Sequence, residues 1–280
     1  MKRSDLKKLL EEAEPYLPKP IPSLADADKN LDKLSGITNN NYRLYNLFIR
    51  VPRTNLNPFF NRRAEFHNIE LMHKADLTEY PLYFNMETGF MIQKYTSPEI
   101  YFEKKLIDND VVDKSVKVLN NINKNEIPAQ ESFDMQTALE FIRSKDIISS
   151  KDMLWVEDFH RAFFREQDRR KLEFSHNDPD ISNFTVTQRA IDFEYSGMSP
   201  ALSDLCNMYS MYLAHIVVEN YLLQTEAPFK EMQPLTVFWL FFWGLWGVSK
   251  NYEDIPNDDY LQKAEFRVNA AVELLKRIRS

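Results

Sequence analysis

Apolar positions recur with a helical period from Asp5 to Leu17, which predicts an amphipathic helix capped by Ser4 and ended by Pro15, Pro18 and Pro20. A polar stretch follows to Lys33. Leu34 to Val51 reads as strand, turn and strand, with a further strand near Leu47–Val51. The period returns to helical over Arg62–Lys74, bringing Glu65, Ile69 and Met72 close together on that helix. Two short β-like runs, Leu82–Asn85 and Gly89–Tyr95, close a mixed N-terminal unit. Pro98 disfavours helix just before it, so a boundary is expected near Thr96-Ser97-Pro98, dividing the chain into 1–96 and 97–280. Beyond Glu99 helical periodicity dominates, with candidate helices over 112–123, 135–147, 152–169, 201–224, 234–250 and 258–279. One interruption, Phe174 to Tyr195, reads as a loop and two short strands. There is no internal repeat and no low-complexity tract.

Composition narrows the classes. The 280 residues are 44% hydrophobic and 13% aromatic, enough for one large domain or two units sharing a cleft, and too apolar for a disordered chain. A lone cysteine, Cys206, excludes an internal disulfide framework and suits a reducing compartment; its place on an apolar helix predicts a buried, inert thiol. The net charge of −7 argues against a nucleic-acid binder held by a broad basic face. Met1 to Lys8 lacks the apolar core of a signal peptide, and Leu235–Val248 is shorter than the ~20 residues a spanning helix needs. The expectation is a cytoplasmic protein with no membrane insertion.

Chemistry concentrates in the interruption. Asp178 leads Asn183 by five positions, and Asp192 ends the second apolar run. If Phe184–Thr187 pairs with Ala190–Phe193 across a Gln188-Arg189 turn, Asn183 and Asp192 arrive at the same end of a hairpin. An amide oxygen beside a carboxylate is a hard-oxygen pair that suits Mg²⁺, leaving Asp178 to accept a hydrogen bond from a substrate hydroxyl. Phosphoryl transfer needs those parts: cations on the phosphate oxygens and a carboxylate that orients the attacking hydroxyl. His176-x-Asp178 followed by Asn183, and then Asp192-Phe193 on an apolar run, has the spacing of a kinase catalytic loop and metal-binding Asp. The bland alternative is a polar loop capped by Asp and Asn.

The runs His176-Asn177-Asp178, Asn183 and Ile191-Asp192-Phe193-Glu194-Tyr195-Ser196-Gly197 resemble the choline/ethanolamine kinase family. The likeness continues through Asp204-Leu205-Cys206-Asn207 and Phe242-Trp243-Gly244-Leu245-Trp246-Gly247. Upstream, Leu34-Ser35-Gly36-Ile37-Thr38-Asn39 resembles the family's phosphate loop, and Asn61-Arg62-Arg63-Ala64-Glu65 its Arg-x-x-Glu helix. The resemblance runs in order over about 34–280, with no motif in 99–170. It implies an α+β, protein-kinase-like bilobal fold, with a small β-rich N-terminal nucleotide-binding lobe and a larger helical C-terminal lobe holding the catalytic loop and acceptor pocket. It also implies ATP and Mg²⁺ as cofactors, choline as the acceptor, and phosphocholine as the product. By that resemblance Asp178 is base or orienter for the alcohol, and His176 organises the catalytic loop. Asn183 and Asp192 are Mg²⁺ ligands, with Glu194 as a further candidate for the metal or for orienting the loop. Ser35, Gly36, Thr38 and Asn39 approach the phosphates, Arg50 neutralises them, Glu65 positions Arg50, and the strand holding Gln93 and Tyr95 supplies hinge backbone for adenine.

A quaternary ammonium is recognised by aromatic faces. Trp243 and Trp246 share a helix face, and Tyr260 and Phe266 could complete a cage, although Phe238, Trp239, Phe241 and Phe242 equally suggest a packed core helix. Departures from the family pattern are Pro179 after Asp178, Ser182 before Asn183, a phosphate loop with the single glycine Gly36, and Met211 where many members carry an acid. His67, His73, His160 and His215 lack metal-ligand spacing, and the basic run from Arg161 to Lys171 reads as a solvated face. Three other readings compete: a kinase for ethanolamine, an aminoglycoside or another cationic alcohol; a non-catalytic pseudokinase-like binding module; and a hydrolase built on Asp178, Asp180, Asp192 and Glu194.

Overall fold

The computed structural model describes residues 3–17, 31–34, 36, 38–53, 59–96, 109–124, 129–144, 161, 165–166, 168–185, 187–212, 229–251, 266–267 and 269–271. Helix α1 (Arg3–Ala13) runs into a tight turn at Glu14–Tyr16, where Pro15 is tolerated because first-turn N–H groups have no helical partner. Strands β1 (Leu31–Lys33), β2 (Asn39–Leu44), β3 (Leu47–Pro52), β4 (Tyr83–Phe84) and β5 (Met91–Lys94) form an antiparallel sheet in the order β1-β2-β3-β5-β4. Helix α2 (Arg62–Lys74) separates β3 from β4 in sequence, and its cap is Asn61, whose side chain accepts from the Ala64 N–H at 3.1 Å.

Period-two alternation along β3 sorts its side chains onto two faces. Leu47, Ile49 and Val51 join Leu44, Phe90 and Ile92 beneath Leu6, Leu10, Ala13 and Leu17, so α1 covers one face of the sheet. Phe48 points the other way with Met91, into a larger core that Ile69, Leu71 and Met72 of α2 enter from the same side. Arg50 takes the parity of Phe48 and is therefore turned away from α1.

The larger unit holds α3 (Asn109–Asn123), α4 (Met135–Ser144), α5 (Ser203–Tyr212) and α6 (Phe229–Asn251), with β6 (Leu172–Ser175) and β7 (Gly197–Pro200) as an antiparallel pair. Helix α6 is apolar on all sides and buried accordingly. No described helix is long and apolar enough to cross a membrane. The two units are stitched by backbone bonds from Asn61 N–H to Ser132 O (2.7 Å), Asp134 N–H to Phe59 O (2.9 Å) and Ala190 N–H to Leu77 O (2.8 Å).

The structure revises several expected elements. The stretch before Lys33 carries a strand, β1, which needs only backbone partners and shows no apolar period. The expected hairpin over Phe184–Phe193 reduces to one bridge, Phe184 to Ala190: Gln188, at φ 57°, lies in the connecting turn, and Asp192, at φ 64°, leaves the extended backbone that the second strand would need. The pairing strands lie outside it, at β6 and β7. Helix 112–123 begins earlier, at Asn109, helix 234–250 begins at Phe229, and helix 135–147 is described to Ser144. Most of 152–169 and 258–279, all of 213–224, and Ser97-Pro98 lie outside the described residues.

Candidate active site

Arg50 is the centre of a buried charge network. Its Nη1 donates to Glu65 Oε1 at 2.6 Å and to Asp192 Oδ1 at 3.1 Å, and its Nη2 donates to the Gly89 carbonyl at 3.2 Å. Gly89 has φ of 75°, and a Cβ there would overlap the Arg62 guanidinium, so the position requires glycine twice over. Three-residue spacing puts Arg62 and Glu65 on one face of α2, and Arg62 Nη1 donates to Glu65 Oε2 at 2.8 Å and Glu194 Oε2 at 3.0 Å. The Arg62 guanidinium also lies over the Phe60 ring, 4.5 Å from its centroid. Burial disfavours the charge on Arg50, but the carboxylates of Glu65, Asp192 and Glu194 outweigh it and hold its pKa above the usual value. Burial likewise pushes Glu65 up, and the two guanidinium groups more than reverse that. Removing one member of such a set strands its partner, at a cost of about 3–5 kcal/mol.

The loop after β6 is anchored from α5. Asp204 accepts from the N–H groups of His176 and Asn177, each at 2.8 Å, and from Asn123 Nδ2 at 3.0 Å. Asn177, at φ 61°, donates from Nδ2 to the Tyr195 carbonyl at 3.1 Å and takes the Ser199 hydroxyl at 2.8 Å. His176 is fully buried and spans the Ile191 carbonyl (2.9 Å) and the Asp178 N–H (3.3 Å), so it organises the loop. Asp180 accepts from the Ser182 N–H at 2.8 Å and caps the turn Ile181–Asn183.

Asp178, Asn183 and Asp192 come together here. Asn183 Nδ2 donates to the Asp178 carbonyl at 2.9 Å and to Asp178 Oδ2 at 3.0 Å. Ile191 N–H donates to Asn183 O at 2.8 Å, bringing Asn183 to the start of the Asp192 turn. Burial, then Asp180 and Asp192, hold the Asp178 carboxyl well above the usual carboxylate range. Burial and the Glu194 carboxylate push Asp192 up to about 7 against the pull of Arg50. With its side chain 28% exposed, Asp192 is the member of the Arg50 network that solvent reaches.

The remaining expected residues fall out as follows. Glu194, a candidate metal ligand from sequence, is fully buried and gives both oxygens to Thr38, Asn39 and Arg62. A Cβ on Gly36 would sit 2.6 Å from the Asn39 carbonyl, so this glycine answers a close approach; Ser35 lies outside the described residues. Gln93 is buried opposite Phe48, and Tyr95 is held by its N–H to Asn46 O at 2.8 Å and by Arg43 over its ring at 4.7 Å. Trp243 and Trp246 do not form an open cage: they are 9% and 4% exposed, and their indole N–H groups donate to Asn207 Oδ1 (2.7 Å) and the Tyr195 hydroxyl (3.0 Å). Tyr260 lies outside the described residues, Phe266 is exposed, and Met211 is half-buried against the core. Arg62, already marked by its three-residue spacing to Glu65, gains a second partner in Glu194 that the sequence reading missed, and Asn123, as a ligand of Asp204, carried no local signal.

Among the described residues no group of three or more His, Cys, Asp or Glu is arranged to hold a metal ion, so a cation here would rest on Asp192 and the Asn183 amide oxygen. Burial and neighbouring acids raise the carboxyls of Asp178 and Asp192, which marks a place short of positive charge.

No protein-family model matches the chain, and no curated protein matches its sequence. Solved structures do. Choline kinase LicA from Streptococcus pneumoniae superposes with a TM-score of 0.71 at 19% identity, over 98% of this chain and 99% of that one. A choline/ethanolamine kinase family protein from Mesorhizobium loti gives 0.66 at 21%, over 95% of each chain. An aminoglycoside 2′-phosphotransferase-IIIa in complex with GDP gives 0.61 at 12%, over 97% and 98%. The chain therefore has a bilobal α+β, protein-kinase-like fold.

Proposed function

We propose that the chain is an ATP-dependent phosphotransferase that moves the γ-phosphate to the hydroxyl of a small cationic alcohol in the cytoplasm, with choline the favoured acceptor. The observation that carries this reading is the convergence of Asp178, Asn183 and Asp192, with Asp192 joined to Arg50 at 3.1 Å. Residues 1–96 are proposed as the nucleotide-binding lobe, with Ser35 and Gly36 near the phosphates and the Gln93–Tyr95 strand at adenine, and 97–280 as the acceptor lobe. The fold is shared with LicA, one of whose structures is a complex with AMP, and with the GDP-bound aminoglycoside phosphotransferase.

Asp192 and Asn183 fit Mg²⁺ by donor type, two hard oxygens with room left for water and phosphate oxygens. Mg²⁺ held there would neutralise charge on the transferring phosphoryl group. Asp178 orients the acceptor hydroxyl and takes its proton at the carboxylate. Burial and neighbouring acids raise the proton affinity of that carboxyl, and Asn183 Nδ2 fixes its orientation at 3.0 Å. Arg50 holds Asp192 in register and carries charge toward the phosphates, while Glu65 fixes the guanidinium.

A second acceptor class is favoured by one observation. Trp243 and Trp246 are buried with their N–H groups already bonded, so their faces are not on offer to a quaternary ammonium. Ethanolamine or an aminoglycoside, recognised by hydrogen bonds, fits that burial better.

The test is ADP release with ATP and Mg²⁺ across choline, ethanolamine, related amino alcohols and an aminoglycoside. Acceptor-stimulated release is expected, falling about 10²–10⁴-fold in Asp178→Ala with the circular dichroism spectrum retained. Full activity in that variant, or no release with any acceptor, overturns the reading.

A further inference from the structure

Thr38 and Asn39 reach across the cleft and end on Glu194. Thr38 Oγ1 donates to Glu194 Oε1 at 2.5 Å and accepts from Asn39 Nδ2 at 3.1 Å. Asn39 Nδ2 lies 3.2 Å from each Glu194 oxygen, and Arg62 Nη1 occupies Oε2 at 3.0 Å. A hydroxyl has one hydrogen to give, and Thr38 gives it to Glu194. The Asn39 amide cannot be turned around, because its oxygen would then face a carboxylate. In the orientation it adopts, Asn39 Oδ1 is buried without a hydrogen-bond partner. The side-chain donors of the Thr38-Asn39 pair are thus committed to Glu194 and to each other. Glu194 is committed too, to a cation and two neutral donors, and is fully buried.

We infer that Glu194 is a positioning residue: a latch that holds the start of β2 against the second lobe and sets the phosphate-facing backbone, and not a metal ligand. The inference rests on the phosphotransferase reading for what that backbone binds. Thr38 acts through Glu194 and not by touching phosphate. Arg62 extends the latch, since the guanidinium that holds Glu194 also holds Glu65, the partner of Arg50. One set of buried bonds therefore fixes both the β1–β2 connection and the arginine beside Asp192, a preorganised frame that spares ordering on binding.

The experiment is a double-mutant cycle on the full chain, read as ADP affinity by calorimetry without metal and as Mn²⁺ affinity of the ADP-bound protein by electron paramagnetic resonance. Thr38→Val is expected to weaken ADP binding about tenfold in the native background, and Thr38→Ser to restore it. In the Glu194→Gln background the same Thr38→Val change is expected to have almost no effect, because coupled residues are non-additive. Mn²⁺ affinity in Glu194→Gln is expected to stay within about twofold of native, since its oxygens serve other groups. Should Glu194→Gln fail to fold, Glu194→Asp takes its place in the cycle, keeping a charge for Arg62 while withdrawing from Thr38. Additive losses, or a Mn²⁺ affinity reduced tenfold or more by the Glu194 change alone, overturn the latch. A native chain that binds no ADP defeats the phosphotransferase reading itself, and the latch with it.

Discussion

Because Ile191 offers His176 only a carbonyl at 2.9 Å, Nε2 must carry the hydrogen, and Nδ1 is left to accept from the Asp178 N–H at 3.3 Å. Protonating Nδ1 would break the second bond and leave a buried cation. Burial accordingly lowers the His176 pKa, outweighing the nearby Asp204. The unfolded ring titrates near 6.5. Below that pH the unfolded chain binds the extra proton first, so the contribution of His176 is complete above about 6.5 and is lost as pH falls toward the lowered folded value. Native protein is expected to lose urea stability between about pH 7 and pH 5 relative to His176→Gln, which itself costs about 1–3 kcal/mol at pH 7. Parallel pH profiles for the two proteins would count against the neutral, doubly bonded ring. Sequence spacing put Asp178 and Asn183 on one short loop, but it joined Asn183 to Asp192 and left Asp178 free, whereas the Asn183 amide bonds Asp178 directly. It could not reveal the engagement of Glu194, whose partner Thr38 lies 156 positions away and becomes a neighbour only when the lobes meet.

Helix α2 is tied at both ends to the segment that carries Asp192 and Glu194. Its first turn supplies Arg62 and Glu65, which reach Glu194 and, through Arg50, Asp192. The segment after its last turn supplies Leu77, whose carbonyl accepts from the Ala190 N–H at 2.8 Å, and Thr78, whose hydroxyl donates to the Ala190 carbonyl at 2.7 Å. Beside them Arg189 pairs with both Asp76 and Glu79. Ala190 lies two residues before Asp192, so the far end of α2 sets the approach to that acid. Arg189 is partly exposed, which limits the worth of each ion pair to about 1 kcal/mol and makes it salt-sensitive. Arg189→Ala is expected to speed amide exchange over residues 188–192 while leaving exchange within β3 unchanged, and added salt to do the same to native protein in part. Uniform acceleration across the first lobe would show the clamp to be merely a stabiliser. The helix was legible from its period. Its tethering was not, because the acids that Arg189 meets, Asp76 and Glu79, lie more than 100 positions away in sequence.

Among the described residues the buried apolar side chains form two clusters, and the sheet divides them. One cluster, beneath α1, draws only on residues up to Ile92; the other runs from Phe59, Met72 and Met91 of the first lobe into Phe174, Trp239 and Trp246 of the second. The order of a small β-rich unit before a larger helical one could be read from the change of period. Which sheet face α1 would cover could not, because an amphipathic helix specifies a stripe and says nothing of its partner. Alternation along β3 resolves that choice and has a functional corollary. Ile49 and Val51 sit under α1, and Arg50, between them, faces the cleft. The packing of α1 is thereby separated from the charge network by the thickness of one strand. Leu10→Ala, which hollows the α1 cluster, is expected to cost about 2–5 kcal/mol of stability. Measured well below its melting temperature, the same variant is expected to keep its ADP affinity within about twofold, because the affected contacts and Arg50 lie on opposite faces and share no partners. A loss of ADP affinity as large as the loss of stability would mean that the sheet transmits α1 packing to Arg50, and that the two faces are one cooperative body.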